Sequence, residues 1–366
     1  MRLKVTHMLM GVCVATASVS CSNELVDDGL RPVGGNDSEG ISFVVADDYT
    51  RGGSFGNRPG LSTRATVTTT DNIKNPNIPF AVYGDMTLES STDQIVLFNG
   101  DDVNYDAAKN VWTYSNLRYW LLDREYSFVA LYPKTFDGLG SNLKYESNRL
   151  AFTYTLPSDY TQATDILIAG HRRQATTSNM DRKVELSFGH IMSRLNFVAK
   201  IESSAQNSGI EIKKITIKSV TSEGSYSVLP ATINTGFTET SDFSTAAWTV
   251  AANAVRKDFT KNTDTDNTKT TLENSVTNIS LFPENDPLFV IPQEVTSDLV
   301  VEISYSRNGK DEGPISGRLD SAVIDKWITG RVYTYSFTIK DNESIIFEAP
   351  TVQDWIDYEG GQYIIE

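Results

Sequence analysis

Short runs in which every second residue is apolar constrain this chain more than any other feature. Tyr126, Phe128, Ala130 and Tyr132 alternate with Ser127, Val129 and Leu131, and Pro133 ends the run. Val184, Leu186 and Phe188 alternate with Glu185 and Ser187, and Leu195, Phe197, Ala199 and Ile201 with Asn196, Lys200 and Glu202. Val301, Ile303 and Tyr305 alternate with Glu302 and Ser304, and Tyr333, Tyr335, Phe337 and Ile339 with Thr334, Ser336 and Thr338. A period of two sends neighbouring side chains to opposite faces of a strand, so these runs predict antiparallel sheets with one wet face. The doubled Lys213-Lys214 between Ile210/Ile212 and Ile215/Ile217 shifts the phase by one and predicts a bulge. Helix signal is scarce, the best candidate being Ser321 to Thr329 closed by Gly330. The expected fold class is all-β: two tandem antiparallel β-sandwich domains with few short helices.

Composition limits the chemistry. At 366 residues the chain has room for two cores, and 39% hydrophobic against 22% charged residues marks it as globular. A formal charge of −15 argues against a nucleic-acid partner, which needs a basic surface. Three histidines and two cysteines leave little for transition metals or thiol chemistry. The glycines at 52, 53, 56 and 60 precede no helix and no Lys-Ser/Thr pair, so they form no phosphate loop. Asp264 and Asp266 hint at a calcium loop, but Lys269 stands where Gly is needed and Ser275 where a bidentate Glu is needed. His171-Arg172-Arg173 reads as an exposed turn after a strand from Asp165 to Ala169, and His190 as a satisfied core or edge histidine. Trp112, Tyr114, Tyr119 and Trp120 read as core aromatics, with a sugar platform as the alternative. No catalytic residue, metal site or cofactor is expected, and the chain is read as a non-enzyme.

The first twenty residues have the layout of an export signal: Arg2 and Lys4, then a short apolar stretch from Met8 to Ala17, then small residues. Ser18-Val19-Ser20-Cys21 places small residues directly before a cysteine, as at a bacterial lipoprotein cleavage site. On that reading Cys21 carries the lipid that holds the protein to a membrane, stabilised by about 0.8 kcal/mol per buried CH₂. Cys13 leaves with the signal, so the remaining fold is disulfide-free and rests on its own core. The expected organisation is a signal at 1–20, a tether with a first strand at 21–64, and sandwiches at 65–200 and 201–366. Ile41, Phe43 and Val45 mark the lone strand of the tether, at 41–47, followed by a long loop rich in Gly, Ser, Thr and Arg.

Five segments in order resemble one family. They are Tyr119-Trp120 followed by Tyr126 to Pro133; Thr164-Asp165-Ile166-Leu167-Ile168-Ala169; Leu186-Ser187-Phe188-Gly189-His190 through Leu195; Phe289-Val290-Ile291-Pro292-Gln293; and Trp327 through Gly330, Tyr333, Tyr335, Ile346-Phe347 and Val352 to Trp355. Together they resemble the fimbrillin-like (FimA/Mfa-type, type V pilin) lipoproteins of Bacteroidetes. The resemblance implies transthyretin-like sandwiches and export through the periplasm to an outer-membrane or surface fimbrium. It implies cutting by an Arg-specific or trypsin-like protease, loss of the first strand, and filling of its groove by a neighbouring pilin subunit. Adhesion to a host or glycan receptor is the expected role.

Three arginines lie in the loop. Pro59 makes the bond after Arg58 a poor substrate, leaving Arg51 and Arg64, with Arg64 preferred for its Thr-Arg-Ala setting. The donor strand falls to Ile345 and Phe347 or to Tyr363 and Ile365, either of which completes this subunit's own sandwich or extends into a partner. The rival reading is a non-polymerising outer-membrane lipoprotein that binds glycan or another ligand, which requires Trp112 and Trp120 to face solvent and lie coplanar.

Overall fold

Strands make up nearly every regular element of the computed structural model, which describes residues 40–46, 73–87, 93–205, 209–233, 238–263, 270–272, 278–320, 324–340 and 345–355. Cys21, Arg51, Arg58, Arg64, the 264–269 loop, Ser275, Tyr363 and Ile365 lie outside the described residues. In the first half the strands are β1 (Phe43–Val45), β2 (Phe80–Thr87), β3 (Gln94–Asp106), β4 (Val111–Thr113), β5 (Glu125–Tyr132), β6 (Lys144–Glu146), β7 (Arg149–Thr155), β8 (Leu167–Gln174), β9 (Val184–Leu186), β10 (Gly189–His190) and β11 (Ser193–Ile201). The second half adds β12 (Ile210–Thr221), β13 (Glu223–Pro230), β14 (Glu239–Thr240), β15 (Phe243–Thr249), β16 (Arg256–Asn262), β17 (Thr271–Leu272), β18 (Ile279–Ser280), β19 (Leu288–Val290), β20 (Val300–Arg307), β21 (Lys310–Arg318), β22 (Arg331–Ile339), β23 (Ile345–Phe347) and β24 (Thr351–Asp354).

The central sheet of the first half runs β10-β8-β5-β2-β3-β4, with β14 also on β8. Its middle strands have no wet face. β2 is buried from Phe80 to Met86 and β5 from Tyr126 to Tyr132. Phe80, Val82, Phe128, Ala130 and Ala169 on one face share a core with Ile41, Phe43, Val45, Val184 and Leu186. Ala81, Tyr83, Val129, Leu131 and Ile168 on the other face share a second core with Phe152, Tyr154, Tyr226 and Val228. The expectation of one wet face therefore fails here for a physical reason: Val129 and Leu131, on the opposite face from Phe128 and Ala130, are apolar too, and this sheet is a middle layer.

The layer over that second core is the sheet β15-β13-β7-β6, which joins strands from both halves of the chain. Only Ser222 separates β12 from β13, and β13 pairs with β7 through Tyr226↔Phe152 and Val228↔Leu150. The second sandwich packs the sheet β18-β11-β22-β23 (with β19 and β24) on the sheet β16-β12-β20-β21 (with β17). Leu195, Phe197, Phe337, Ile215, Ile217, Val301 and Ile303 are fully buried in it. The Lys213-Lys214 phase shift is a bulge: Ile212 pairs Tyr305 and Lys214 pairs Ser304, so one extra residue sits on β12 and returns Ile215 to the core face.

Three details depart from the sequence reading. Not every pairing is antiparallel: β1 runs parallel to β9 and β11 parallel to β22. Residues 324–330 are not helical. Lys326 bridges Glu294, and Trp327 exchanges backbone hydrogen bonds with Gln293 at 2.8 and 3.0 Å. Val323, Ile324, Ile328 and Thr329 are β-branched, which weakens a helix, and the buried Trp327 is held by Tyr335 Oη at 2.9 Å from its Nε1. Finally, His171-Arg172-Arg173 is no exposed turn but the continuation of β8, with His171 and Arg173 buried. Charges there suggest solvent only until Glu239 of β14 is seen ion-paired to Arg173.

Asp85 of β2 is 1% exposed and accepts a hydrogen bond from Tyr145 Oη at 3.0 Å. Burial raises its pKa to about 6, against the lowering effects of Tyr145 and Arg172. A carboxyl raised in the folded state stabilises the fold below the unfolded pKa of 3.8, and that contribution is lost as pH rises through about 6. Asp85→Asn keeps an acceptor for Tyr145 and removes the buried charge. Urea unfolding of this variant should show higher stability at pH 7.5, by on the order of 1–3 kcal/mol, and no gain at pH 4.

Candidate functional site: the slot of the first strand

Ile41, Phe43 and Val45 alternate with Ser42 and Val44, so an extended backbone sends all three apolar side chains one way. They point into the first core and are 1%, 2% and 4% exposed. The Phe43 ring meets Phe98, Tyr114 and Phe128 edge-on, with centroids 5.5, 5.7 and 5.7 Å away. Such side chains each contribute about 1.5–3 kcal/mol by burial, and the edge-to-face contacts add to that.

The backbone of this segment is held by few bonds. β1 pairs β9 as Phe43↔Val184, Val44↔Glu185 and Val45↔Leu186. Val184 N donates to Ser42 O at 2.7 Å and Ala46 N donates to Leu186 O at 3.0 Å. On the opposite side Ile41 N donates to Arg118 O at 2.6 Å, and Tyr114 Oη donates to Ile41 O at 2.5 Å. Arg118 fixes that side: its guanidinium lies 4.4 Å over the Phe98 ring, donates to Leu97 O and pairs Asp101 at 2.7 Å. The segment is thus deep in apolar contact yet short in hydrogen bonds. Without it, β9 has an unpaired edge and the Phe98, Tyr114 and Phe128 rings line an open groove.

Behind β9 stands His171. Its Nδ1 lies 3.1 Å from Glu185 O, a carbonyl, so Nδ1 is the donor. Burial first, then Arg173, lowers the ring's pKa to about 4, with Arg182 adding to this and Glu239 opposing it. Glu239 is itself committed to Arg173 and Arg182, at 2.9 and 2.8 Å. Arg173 also stacks 5.1 Å over Trp120.

The remaining sequence-derived candidates are elsewhere. Ile345 and Phe347 lie on β23, antiparallel to β22 and paired as Ile339↔Ile345 and Phe337↔Phe347. Phe347 covers Gly317 of β21, where a Cβ would lie 2.2 Å from its ring. His190 is buried in the core, with Nδ1 2.9 Å from Asp165 Oδ1 and its ring stacked 4.1 Å from Trp355. Trp120 is 2% exposed and packs on Tyr126, while Trp112 packs on Phe80 and Tyr105. A coplanar, solvent-facing Trp112–Trp120 platform does not exist, so the glycan reading loses its surface. Arg118 escaped the sequence reading, since a lone arginine between Leu117 and Tyr119 carries no local signal of what it will touch.

A family model described as fimbrillin-like matches residues 63–355. Among solved structures the chain is similar to a fimbrial protein from Bacteroides vulgatus, at 15% identity and a TM-score of 0.57, covering 80% of this chain and 98% of that one. Weaker similarity links it to a provisionally named cell adhesion protein from Bacteroides uniformis, at 18% identity and a TM-score of 0.41 over 80% of this chain and 97% of that one. A fimbrial assembly protein from Parabacteroides distasonis is similar at 9% identity and a TM-score of 0.35, over 81% and 96%. No curated protein matches. At these identities the first structure demonstrates a shared fold.

Phe43→Ala should cost about 3 kcal/mol in chemical denaturation of the uncut chain, whereas the half-buried Val44→Ala should cost about 1 kcal/mol or less. A histidine whose pKa is lowered by folding contributes stability above its unfolded value of 6.5 and loses it as pH falls through about 4. His171→Asn keeps a donor for Glu185 O, so its melting temperature should fall less than the parent's between pH 7 and pH 4.5.

Proposed function

This chain belongs to the fimbrillin-like family, and from that premise we propose that it is a surface pilus subunit or accessory pilin that joins its neighbours by exchanging its first strand. The observation that carries the reading is the slot: Ile41, Phe43 and Val45 are buried, yet the strand spans three residues and its backbone is held by a handful of bonds. A cut after Arg64 or Arg51 separates it covalently from the rest. Exposed apolar rings and the unpaired edge of β9 then favour an incoming strand, because one partner satisfies both. Head-to-tail repetition of a contact that does not close on itself builds a fibre.

Of the two donor candidates, Tyr363 and Ile365 are the better supported. Ile345 and Phe347 already bond β22 and cover Gly317, and leaving would uncover this subunit's own core. Attachment to the outer membrane through lipid on Cys21 places the subunit where a surface protease reaches it. Adhesion is the role that follows for the assembled fibre.

Treating the purified chain with trypsin-like protease should remove the segment ending at Arg64 and yield a ladder of detergent-resistant oligomers on a gel. Arg64→Ala combined with Arg51→Ala should leave the chain intact and free of the ladder. Cleavage at Arg64 without oligomers would sink the exchange mechanism, and cutting elsewhere with oligomers would move the maturation site.

A further inference from the structure

We infer that the uncut chain pairs with a second copy of itself through the free edge of β15. This strand ends the sheet β15-β13-β7-β6, and among the described strands it bonds β13 alone. Ser244, Thr245, Ala246 and Ala247 are all exposed. The outer side of the strand therefore presents a row of backbone N–H and C=O groups to solvent, a ready template for another strand.

Two other long edges among the described strands are guarded. β16 carries Arg256, Lys257, Asp258 and Lys261, and β21 carries Lys310, Asp311, Glu312 and Arg318 together with Pro314. β6, at the far end of the same sheet, is three residues long with Lys144 and Glu146. Phe243–Thr249 has seven residues, no charge and no proline.

Charge selects the occupant. With a net charge of −15, two copies repel over most of their surface. Antiparallel pairing about a two-fold axis sets residue i of one copy against j of the other, and j against i. On β16 that symmetry, centred on Phe259, opposes Lys257 to Lys261; on β21, centred on Pro314, it opposes Lys310 to Arg318. Both pairings put like charges face to face. On β15, centred on Ala246, it opposes Thr245 to Ala247 and Ser244 to Trp248, none of them charged, with Arg149 reaching Thr245 Oγ1 at 3.2 Å from β7. The self-pair joins two four-stranded sheets into one continuous sheet. It does not need β1 to leave, so it stands apart from strand exchange.

Sedimentation equilibrium of the full, unproteolysed chain should show a reversible dimer. Thr245→Lys with Ala247→Lys should weaken it by about tenfold or more, as should Thr245→Glu with Ala247→Glu, since like charges then face each other across the axis. Mixing the two double variants should restore dimers, because each ammonium then meets a carboxylate. That rescue also separates the proposal from misfolding. A chain that stays monomeric at every concentration overturns it. So do double variants that dimerise as tightly as the parent, or a mixture that fails to recover.

Discussion

A sheet with apolar side chains on both faces is stable in water only when both faces are covered. In this protein β2 and β5 are such strands, buried from Phe80 to Met86 and from Tyr126 to Tyr132. One cover is a four-stranded sheet built around Phe152, Tyr154, Tyr226 and Val228. The other is far thinner. Two three-residue strands, β1 and β9, and the Tyr114–Arg118 stretch close it, with Phe43 at the meeting point of Phe98, Tyr114 and Phe128. Much apolar area therefore depends on a short stretch of backbone, held by a three-residue pairing with β9 and the bonds of Ile41.

The two sandwiches are tied by strands and by single side chains. β10 lies in the central sheet while β11, which follows after two residues, lies in the second sandwich. Trp248 Nε1 donates to Ile191 O at 2.6 Å, and Trp355 stacks on His190 while its backbone N–H reaches Gly330 O at 2.8 Å. Inside the second half Lys261 meets Asp286 at 2.6 Å, both nearly excluded from solvent. A buried pair of this kind adds little net stability, but removing one partner strands a charge.

Most strands were legible because period two survives in β9, β11, β20 and β22, where one face is polar. The β12 bulge was legible too, since a phase slip between Ile212 and Ile215 has only a few backbone solutions. The alternation of Ile41, Phe43 and Val45 exposed the slot's occupant. What it meets was hidden. Arg118 and Tyr114 clamp Ile41 from more than seventy residues away, and β9 joins it from farther still, in a parallel pairing that leaves no local trace. His171-Arg172-Arg173 looked solvated for the same reason, because Glu239 lies in a distant strand.

Local pattern alone determined that this chain is built of strands and that Ile41, Phe43 and Val45 share an inward face. Those properties follow from the geometry of an extended backbone, which any pair of neighbouring residues already expresses. Tertiary structure decided which face of which sheet each strand covers, that β13 and β15 join β7 and β6 over the first sandwich's inner face, and which edges remain open. Such outcomes depend on contacts between residues far apart in the chain, whose free energy is set by shared burial and cross-strand pairing, and no window of sequence contains both partners.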